Sequence, residues 1–533
     1  MSDGAGAAPG QPAPQGLLIA KLTAACEWLL AAAVILGVLS AGWQAIYKIT
    51  APYQLDYGEG VVLAGALRVA QGQSLYPPVK GMPYVIDPWG PVLYLLLAAP
   101  TRIFGASFVV PRLLSAAATL ASTLFLFLLL RLWTRSRKVA LIFSLLYFSL
   151  PVIRVWSWLL RADHFGIAFS LAGIYLFAAH PRRWLVAACL FVAAAFIKPT
   201  FIAAPLAVIL YLLAQKQRSR ALGFAACTAG MGLAAFATMQ RLSGGAFAFH
   251  FLRTHPGYAL AHFVDMTALV VWGFPALDLL GWIFVAQSLW RSRYLLPVLY
   301  FCASKLVTLS AGNEGAGGNH FLEWAAALCL VAGVAYHSLW QQRLPPVRSQ
   351  FMRSLTLMGM VASFVVFFPL LFMPWQRLDQ KIDLALLEYS PIRGRFAGLL
   401  RTADPRDSMC PELQAFLHRQ MGSRALSENI GAALLSGKRL LVTEPFIYRQ
   451  LVSRSELSAE PLAAMIRSRQ VDFIILNQET PQLRLPQKST GRSRWWEREA
   501  PWPSSILDGI EENYALSGHF QCPNAGVVYL PRP

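Results

Sequence analysis

Two carboxylates, Asp56 and Glu59, lie directly after the first long apolar segment, in the sequence LDYGEG at residues 55–60. An acid at the edge of a membrane is costly to keep charged, which favours a functional role. A carboxylate that stays ionised can act as general base on an acceptor hydroxyl. The three-residue spacing equally suits a helix N-cap followed by an acid in the first turn, so capping is the alternative interpretation.

The residues that follow this motif would suit a sugar ligand. Tyr84 and Asp87 stand beside further aromatic residues and supply polar and aromatic contacts of the kind that ligand sites use. We therefore predict that both contact substrate. Either Asp56 or Glu59 is the predicted base, and the sequence leaves the choice open.

Further charged groups border later apolar segments. Arg161, Asp163 and His164 fall within four residues, a combination that can bind an anionic group and orient a partner carboxylate. Lys198 separates two short apolar segments, where a fixed cation can hold a lipid phosphate and stabilise the charge that develops as it leaves. Anchoring of Arg161 and snorkelling of Lys198 at the membrane surface are the alternatives.

A glycine-rich loop (residues 312–320) leads directly into another apolar segment. It ends with Asn319 and His320, and Glu323 follows one turn later. Asn319 and Glu323 are four residues apart and share a helical face, and an acid one turn into a membrane needs a reason to be there. We predict that all three line the site, the alternative being a loop whose Asn319 caps the helix.

The composition indicates a polytopic α-helical membrane protein. Of the 533 residues, 56% are hydrophobic and 14% are charged, which is more apolar surface than water-soluble cores can bury. The net charge of +19 would suggest nucleic-acid binding in a soluble protein, but much of it lies in short loops between apolar segments. The predicted partners are therefore a membrane and its lipids, and no nucleic acid.

Eleven apolar segments are long enough to predict transmembrane helices. They lie at about residues 25–47, 109–131, 139–156, 163–179, 184–198, 200–214, 221–240, 267–289, 294–311, 319–340 and 354–375. The apolar stretch 91–104 contains Pro100, and we predict that it lies at the membrane surface, within the first loop (residues 48–108).

The charges of the loops predict the orientation. With a cytoplasmic N-terminus, the loops at 131–138, 180–183, 216–220 and 291–293 are cytoplasmic, and each contains basic residues but no acid. The motifs described above then lie at the outer ends of the helices. In this orientation residues 1–20 are predicted to be a disordered cytoplasmic tail and 21–375 the membrane domain.

Residues 376–533 have a mixed charge composition and are predicted to form an extracytoplasmic α/β domain. Segments 440–443, 471–477 and 526–530 are typical of buried strands, and 461–469 of a helix. A strand, a helix and a strand in succession predict a parallel sheet. The domain contains Cys410 and Cys522, whose pairing the sequence leaves open.

Three features of the sequence together resemble those of a known protein family. They are the first loop with its two acids, the Arg-x-Asp motif at 161–163 and the Ile-Lys-Pro sequence at 197–199. They are similar to polyprenyl-phosphate-sugar-dependent glycosyltransferases of the GT-C fold, which include bacterial protein mannosyltransferase-like and lipid A aminoarabinose transferase-like enzymes. The resemblance covers roughly residues 20–375. Many members have adjacent Asp and Glu in the first loop, whereas Asp56 and Glu59 are separated here.

The resemblance implies an inverting sugar transfer on the outer face of the membrane, from a polyprenyl-phosphate donor to a lipid, glycan or protein acceptor. It implies Asp56 as base with Glu59 second, and Arg161 and Lys198 as ligands of the lipid phosphate.

It also implies that Asp163 and His164 line the site and that Asn319 and His320 contact donor or acceptor. No nucleotide sugar is needed, in keeping with the absence of a Gly-rich phosphate motif after the predicted strands. No cofactor or metal site is predicted, and a divalent cation is left open. The rival hypotheses are a lipid or solute transporter and a noncatalytic binder of lipid-linked sugars.

Overall fold

A computed structural model describes residues 14–254, 257–271, 274–288, 292–338, 357–359, 410–484, 502–522 and 525–533. The elements of its membrane domain, among the described residues, are helices. The helices of this domain are α1 (Pro14–Thr50), α2 (Tyr57–Ala70), α3 (Pro91–Phe104), α4 (Val109–Thr134), α5 (Arg137–Ser149), α6 (Pro151–Trp156), α7 (Ala162–Ala179), α8 (Trp184–Ala195), α9 (Ala203–Ala214), α10 (Arg218–Leu242), α11 (Leu260–Val271), α12 (Pro275–Ser288), α13 (Leu295–Val307) and α14 (Leu322–Ser338).

Six stretches of helix within the described residues are long and apolar enough to cross a membrane, and each coincides with a predicted span. They are Lys21–Thr50, Val109–Thr134, Ala162–Ala179, Arg218–Leu242, Leu295–Gly312 and Gly318–Ser338. The chain is therefore a multi-pass membrane protein. Helix α1 begins at Pro14, inside the segment predicted to be a tail, and residues 1–13 lie outside the described part of the chain.

Four predicted spans are shorter or interrupted helices. Segment 139–156 divides into α5 and α6 at Pro151, and 267–289 divides before Pro275 into α11 and α12. Proline begins a helix readily but removes a hydrogen bond inside one, which explains both interruptions. Segments 184–198 and 200–214 form the 12-residue helices α8 and α9. The span at 354–375 lies outside the described residues except for 357–359.

The C-terminal domain is a five-stranded mixed sheet with helices. Its strands are β1 (Arg424–Ser427), β2 (Arg439–Leu440), β3 (Phe473–Leu476), β4 (Tyr514–Cys522) and β5 (Ala525–Pro531). Its helices are α15 (Cys410–Arg419), α16 (Ile430–Leu435), α17 (Pro445–Ser453), α18 (Glu460–Arg467), α19 (Thr480–Arg484) and α20 (Ser504–Asn513).

The sheet has the strand order β2-β1-β3-β5-β4, parallel from β2 to β3 and antiparallel from β3 to β4. The parallel arrangement predicted for the strand–helix–strand unit is present, because β2 and β3 both run parallel to β1, whereas β4 and β5 add an antiparallel part. Strands β1 and β4 were not predicted, because β1 is only four residues long and β4 contains Gly518 and polar residues. Strand β1 lies between β2 and β3 in the sheet.

Cys410 of α15 and Cys522 of β4 form a disulfide across a sequence separation of 112 residues. The pairing that the sequence left open is thus made. The bond links the first described helix of the domain to an edge strand of the sheet. Disulfides persist in oxidising compartments, a point that bears on the orientation of the domain.

Candidate active site

Asp56 is the N-cap of α2, and its carboxylate uses only one of its two oxygens for polar contacts with the described residues. Its Oδ2 accepts a hydrogen bond from the backbone N–H of Gly58 (2.9 Å) and lies 3.2 Å from Nη1 of Arg161. The Arg161 guanidinium stacks 4.9 Å from the centre of the Trp156 ring. The Asp56 side chain is 22% exposed, and its Oδ1 has no hydrogen-bond partner among the described residues. One oxygen is therefore held in place, while the other has no hydrogen-bond partner in the described part of the chain.

Glu59 has the opposite environment and is fully buried. Its two oxygens receive Nε (2.7 Å) and Nη2 (2.7 Å) of Arg112. They also accept the backbone N–H groups of Leu160 (2.9 Å), Leu55 (2.8 Å) and Asp56 (3.3 Å). The last of these closes a capping box with Asp56. Every lone-pair direction of this carboxylate is thus occupied.

The pKa values of the two acids move in opposite directions. Burial raises the pKa of Asp56 above its ordinary value, although Arg161 opposes the rise. Burial also acts to raise the pKa of Glu59, but Arg112 and the backbone donors outweigh it and lower that pKa. Asp56 is therefore the acid with more affinity for a proton, as a base requires.

Arg112 is a structural residue whose role the sequence did not predict. It lies one turn into α4 and is fully buried. In addition to Glu59 it donates to the carbonyls of Lys48 (2.9 Å), Ala51 (2.6 Å) and Tyr53 (2.8 Å). It thereby fixes the chain between α1 and α2 and so the position of Asp56. The available signal was a lone arginine at the start of an apolar helix.

A second ion pair lies beside the first. Asp163, in the first turn of α7, receives Nζ of Lys198 at Oδ1 (2.9 Å) and Nδ2 of Asn319 at Oδ2 (3.1 Å). Lys198 Nζ also lies 3.5 Å from Nε2 of His320, whose Nδ1 lies 2.7 Å from Oγ of Ser310. Three segments distant in sequence therefore share one polar network.

The two ion pairs interact electrostatically, because Asp56 lies within range of Asp163, and Asp163 within range of Arg161. The residues lie at or just beyond the ends of α2, α7, α8 and α14, so the site occupies one end of the helix bundle. We name it the central cluster: Asp56, Arg161, Asp163, Lys198, Asn319 and His320.

Four predicted site residues have their own separate contacts. The Tyr84 hydroxyl donates to the Ser458 carbonyl (3.2 Å), within the contact between the first loop and the C-terminal domain. His164 Nε2 pairs with the Trp156 carbonyl (2.6 Å). Glu323 Oε1 accepts from the Tyr300 hydroxyl (3.3 Å) and is buried. The substrate contacts expected of these residues stay predictions.

Asp87 is the fourth, and it lies in a second polar site. It is fully buried, and its backbone N–H donates to Nδ1 of His250 (3.2 Å). Arg68 is the charged residue that interacts with the Asp87 carboxylate, and the Tyr94 hydroxyl lies beside that carboxylate. None of these neighbours belongs to the central cluster. Among the described residues Asp87 makes no hydrogen bond or ion pair with the central cluster, and its substrate contact stays a prediction.

The burial of Asp87 predicts a pH-dependent stability. Burial raises its pKa to about 7, so folding favours the protonated carboxyl. The stabilisation is complete below the unfolded pKa of about 4, declines as pH rises through the interval to 7, and is constant above it. Asp87→Asn should remove the decline and raise the thermal midpoint by roughly 2–5 °C at pH 8, with little change at pH 4.5.

Thermal unfolding of the full chain in detergent at both pH values measures this effect. Asp508→Asn is the matched control, because the Asp508 side chain is 54% exposed. Equal shifts at pH 4.5 and pH 8 in the Asp87 variant would contradict the argument.

Within the described residues, no three His, Cys, Asp or Glu side chains are grouped closely enough to hold a metal ion. The polar groups of the central cluster instead form ion pairs and hydrogen bonds with one another. The divalent cation that the sequence left open therefore acquires no ligand set from the described part of the chain.

The arrangement of membrane helices, a polar cluster at one end and a C-terminal α/β domain matches the GT-C fold. Two solved structures of ArnT from Cupriavidus metallidurans share it. The apo structure superposes with a TM-score of 0.61 at 14% identity, over 93% of this chain and 97% of that chain. The structure bound to undecaprenyl phosphate gives 0.60 at 14% identity, with the same coverage.

A family model matches part of the membrane domain. Residues 87–241 match the family model described as dolichyl-phosphate-mannose-protein mannosyltransferase. The matched segment includes Arg112, Arg161, Asp163 and Lys198, and it begins after Asp56. Comparison with curated protein sequences returns no match.

Proposed function

We propose that this protein transfers a sugar from a polyprenyl-phosphate donor to an acceptor hydroxyl, with Asp56 as general base. The observation that carries the proposal is the pairing of an open carboxylate with two cations at one end of the bundle. The family match and the fold shared with ArnT support it, one ArnT structure being bound to undecaprenyl phosphate.

The proposed reaction is a single displacement at the anomeric carbon. The acceptor oxygen forms a bond to that carbon while the bond from carbon to phosphate oxygen breaks and its electron pair leaves with the phosphate. The acceptor proton passes to Oδ1 of Asp56, the oxygen with no partner in the described chain. Glu59 is less suited to this role because Arg112 and three backbone N–H groups occupy both its oxygens.

Arg161 and Lys198 are the proposed ligands of the donor phosphate. Their side chains are 15% and 12% exposed, so both are shielded and yet reachable. Positive charge at this position would stabilise the phosphate as it gains charge in leaving. Asp163, Asn319 and His320 position Lys198, and His164 and Glu323 are proposed to line the sugar-binding region.

We propose the inner membrane as the location, with the N-terminus cytoplasmic and the C-terminal domain outside. The basic loops support this orientation through the positive-inside rule. The disulfide between Cys410 and Cys522 also supports it, because such bonds persist in oxidising compartments. The acceptor is proposed to be a lipid, a glycan or a protein of the cell envelope.

Purified full-length protein in nanodiscs tests the proposal. It would be incubated with a panel of polyprenyl-phosphate sugars and cell-envelope glycolipids or peptides, and products would be followed by mass spectrometry. Comparison of envelope extracts from cells with and without the gene supplies the acceptor candidates. Appearance of a glycosylated product together with free polyprenyl phosphate is expected. Lipid translocation in liposomes with no transfer or donor cleavage would overturn the proposal in favour of a transporter.

Removal of Lys198 should weaken binding of the lipid phosphate. For Lys198→Ala we expect the Kd for undecaprenyl phosphate to rise about tenfold or more, because a charge-assisted contact is lost. Native mass spectrometry of the nanodisc-embedded protein measures the Kd. Lys80→Ala is the control, since Lys80 is an exposed cation of the same first loop. An unchanged Kd in the Lys198 variant would remove Lys198 from the phosphate site.

A further inference from the structure

The C-terminal domain contacts the membrane domain through residues 441–446, which comprise the loop after β2 and the first two residues of α17 and which we name the roof loop. The roof loop pairs with the first loop through an isolated parallel β-bridge between Tyr84 and Val442. The N–H of Tyr84 donates to the Leu441 carbonyl (2.8 Å), and the N–H of Thr443 donates to the Tyr84 carbonyl (3.0 Å). The N–H of Ile86 donates to Oγ1 of Thr443 (2.8 Å). The domain is thus joined to the membrane part by backbone hydrogen bonds.

The same roof loop reaches the residue next to Asp56. The N–H of Phe446 donates to the hydroxyl oxygen of Tyr57 (3.0 Å), and the Tyr57 hydroxyl donates to the Glu444 carboxylate. Glu444 is itself buried and caps α17 by accepting from the N–H of Ile447. Tyr57 is the first residue of α2 and follows the N-cap Asp56 directly. The N-terminal end of α17, capped by Glu444, is therefore hydrogen-bonded to Tyr57 at the start of α2.

The ring of Phe446 also lies against the glycine-rich loop. Gly315 has a positive φ of 78°, and a Cβ added there would lie 2.8 Å from that ring. This loop carries Asn319 and His320, so one side chain of the roof loop contacts a second segment of the central cluster. A movement of the roof loop would therefore displace its contacts with both the start of α2 and the glycine-rich loop.

A second contact holds Asp56 from its other side. Gln54 is 1% exposed, and its Oε1 accepts from the N–H of Gly431 in the first turn of α16 (2.7 Å). The backbones of α2 and α16 approach closely at two glycines. A Cβ on Gly60 would lie 2.8 Å from the Gly431 nitrogen, and a Cβ on Gly431 would lie 2.8 Å from the Gln54 Cβ. This close approach is available only to glycine.

We propose that the C-terminal domain is a working part of the site, with Tyr57 and Gln54 as positioning residues that hold Asp56 through the roof loop and α16. The inference rests on the proposed function, since it assigns a purpose to the position of Asp56. It follows from geometry: residues on both sides of Asp56 bond to the domain, and the domain's nearest loop also contacts the segment carrying Asn319 and His320. Without these contacts the proton-accepting oxygen would lose its orientation toward the acceptor.

Tyr57→Phe in the full-length protein tests this role, with Tyr84→Phe as the matched control. Both variants lose one hydroxyl at the contact between the domains, but Tyr84 bonds to Ser458 and not to the roof loop through its hydroxyl. Hydrogen–deuterium exchange should rise about tenfold in residues 54–60 of Tyr57→Phe, because a hydrogen bond to buried groups is lost. It should be unchanged there in Tyr84→Phe. Equal exchange in the wild type and Tyr57→Phe, or an equal rise in both variants, would overturn the proposal.

Kinetics provide the second readout. Once a donor and acceptor pair is known, Tyr57→Phe should reduce kcat about tenfold and leave the donor KM within about threefold, as expected when only the base is displaced. A raised KM with unchanged kcat would contradict positioning of Asp56. If the wild type transfers no sugar at all, the proposed function fails, and the exchange data still decide whether the domain orders Asp56.

Discussion

Asp56→Asn is expected to reduce sugar transfer by about 10²–10⁴-fold, the range that loss of a general base produces. Asparagine can still accept the N–H of Gly58 and so retain the cap of α2, but it cannot take a proton from the acceptor. The fold and the Kd for undecaprenyl phosphate should therefore change little. Initial rates with purified protein, together with the thermal midpoint, provide the measurement.

Asp56→Glu is the companion variant, because it keeps a carboxylate but moves it by one methylene. It should recover part of the lost rate if proton transfer is the function of Asp56. Full activity of Asp56→Asn would exclude Asp56 as the base. A large loss of lipid-phosphate binding in the same variant would instead show that Asp56 acts through Arg161, its ion-pair partner.

Glu59→Gln is expected to destabilise the fold by about 3–5 kcal/mol, because it leaves the buried Arg112 cation without its counter-charge. Both side chains of this pair are 0% exposed. The folded-state pKa of Glu59 is lowered, so its contribution is present above the unfolded pKa and is lost as pH falls through the folded pKa. Thermal unfolding of the full chain at neutral pH measures the change.

The double variant Glu59→Gln with Arg112→Met supplies the control for charge. It removes both members of the pair and should be less destabilised than Glu59→Gln alone. Asp508→Asn supplies the control for exposure: it removes one partner of the exposed Arg484, and it should alter stability by less than about 1 kcal/mol. If the Glu59→Gln protein kept its native stability but had no turnover, the result would indicate that Glu59, and not Asp56, is the base.

These two predictions separate acids that the sequence alone treats alike. Asp56 and Glu59 are three residues apart beside the same membrane helix, and both the capping and the catalytic interpretations fit that spacing. The capping interpretation is confirmed for both residues, because α2 begins with a capping box. For Asp56 the cap uses only one oxygen, so capping and a catalytic role are compatible at this residue.

Much of the membrane domain could be predicted because its signals are local. Apolar length identified the regions of the six long helices, and charged or polar residues at helix ends marked Asp56, Arg161, Asp163, Lys198 and Asn319. Helix breaks at Pro151 and Pro275 were missed because apolar composition runs across them. Asp87 forms its described contacts with His250, Arg68 and Tyr94, which the sequence could not predict because nearness along the chain does not fix nearness in space.

What the sequence by itself determined is the class of protein: a multi-pass membrane chain whose chemistry-bearing residues collect at helix ends, because hydropathy and charge act over a few turns. What only the tertiary structure decided is which of those residues share a site, and which carboxylates already have all their oxygens bound by other groups of the protein. Arg112, 53 residues from Glu59, neutralises that acid and leaves Asp56 as the open one. The disulfide, the strand order and the contact of the roof loop with Tyr57 likewise join distant segments, since such contacts depend on packing that local periodicity does not encode.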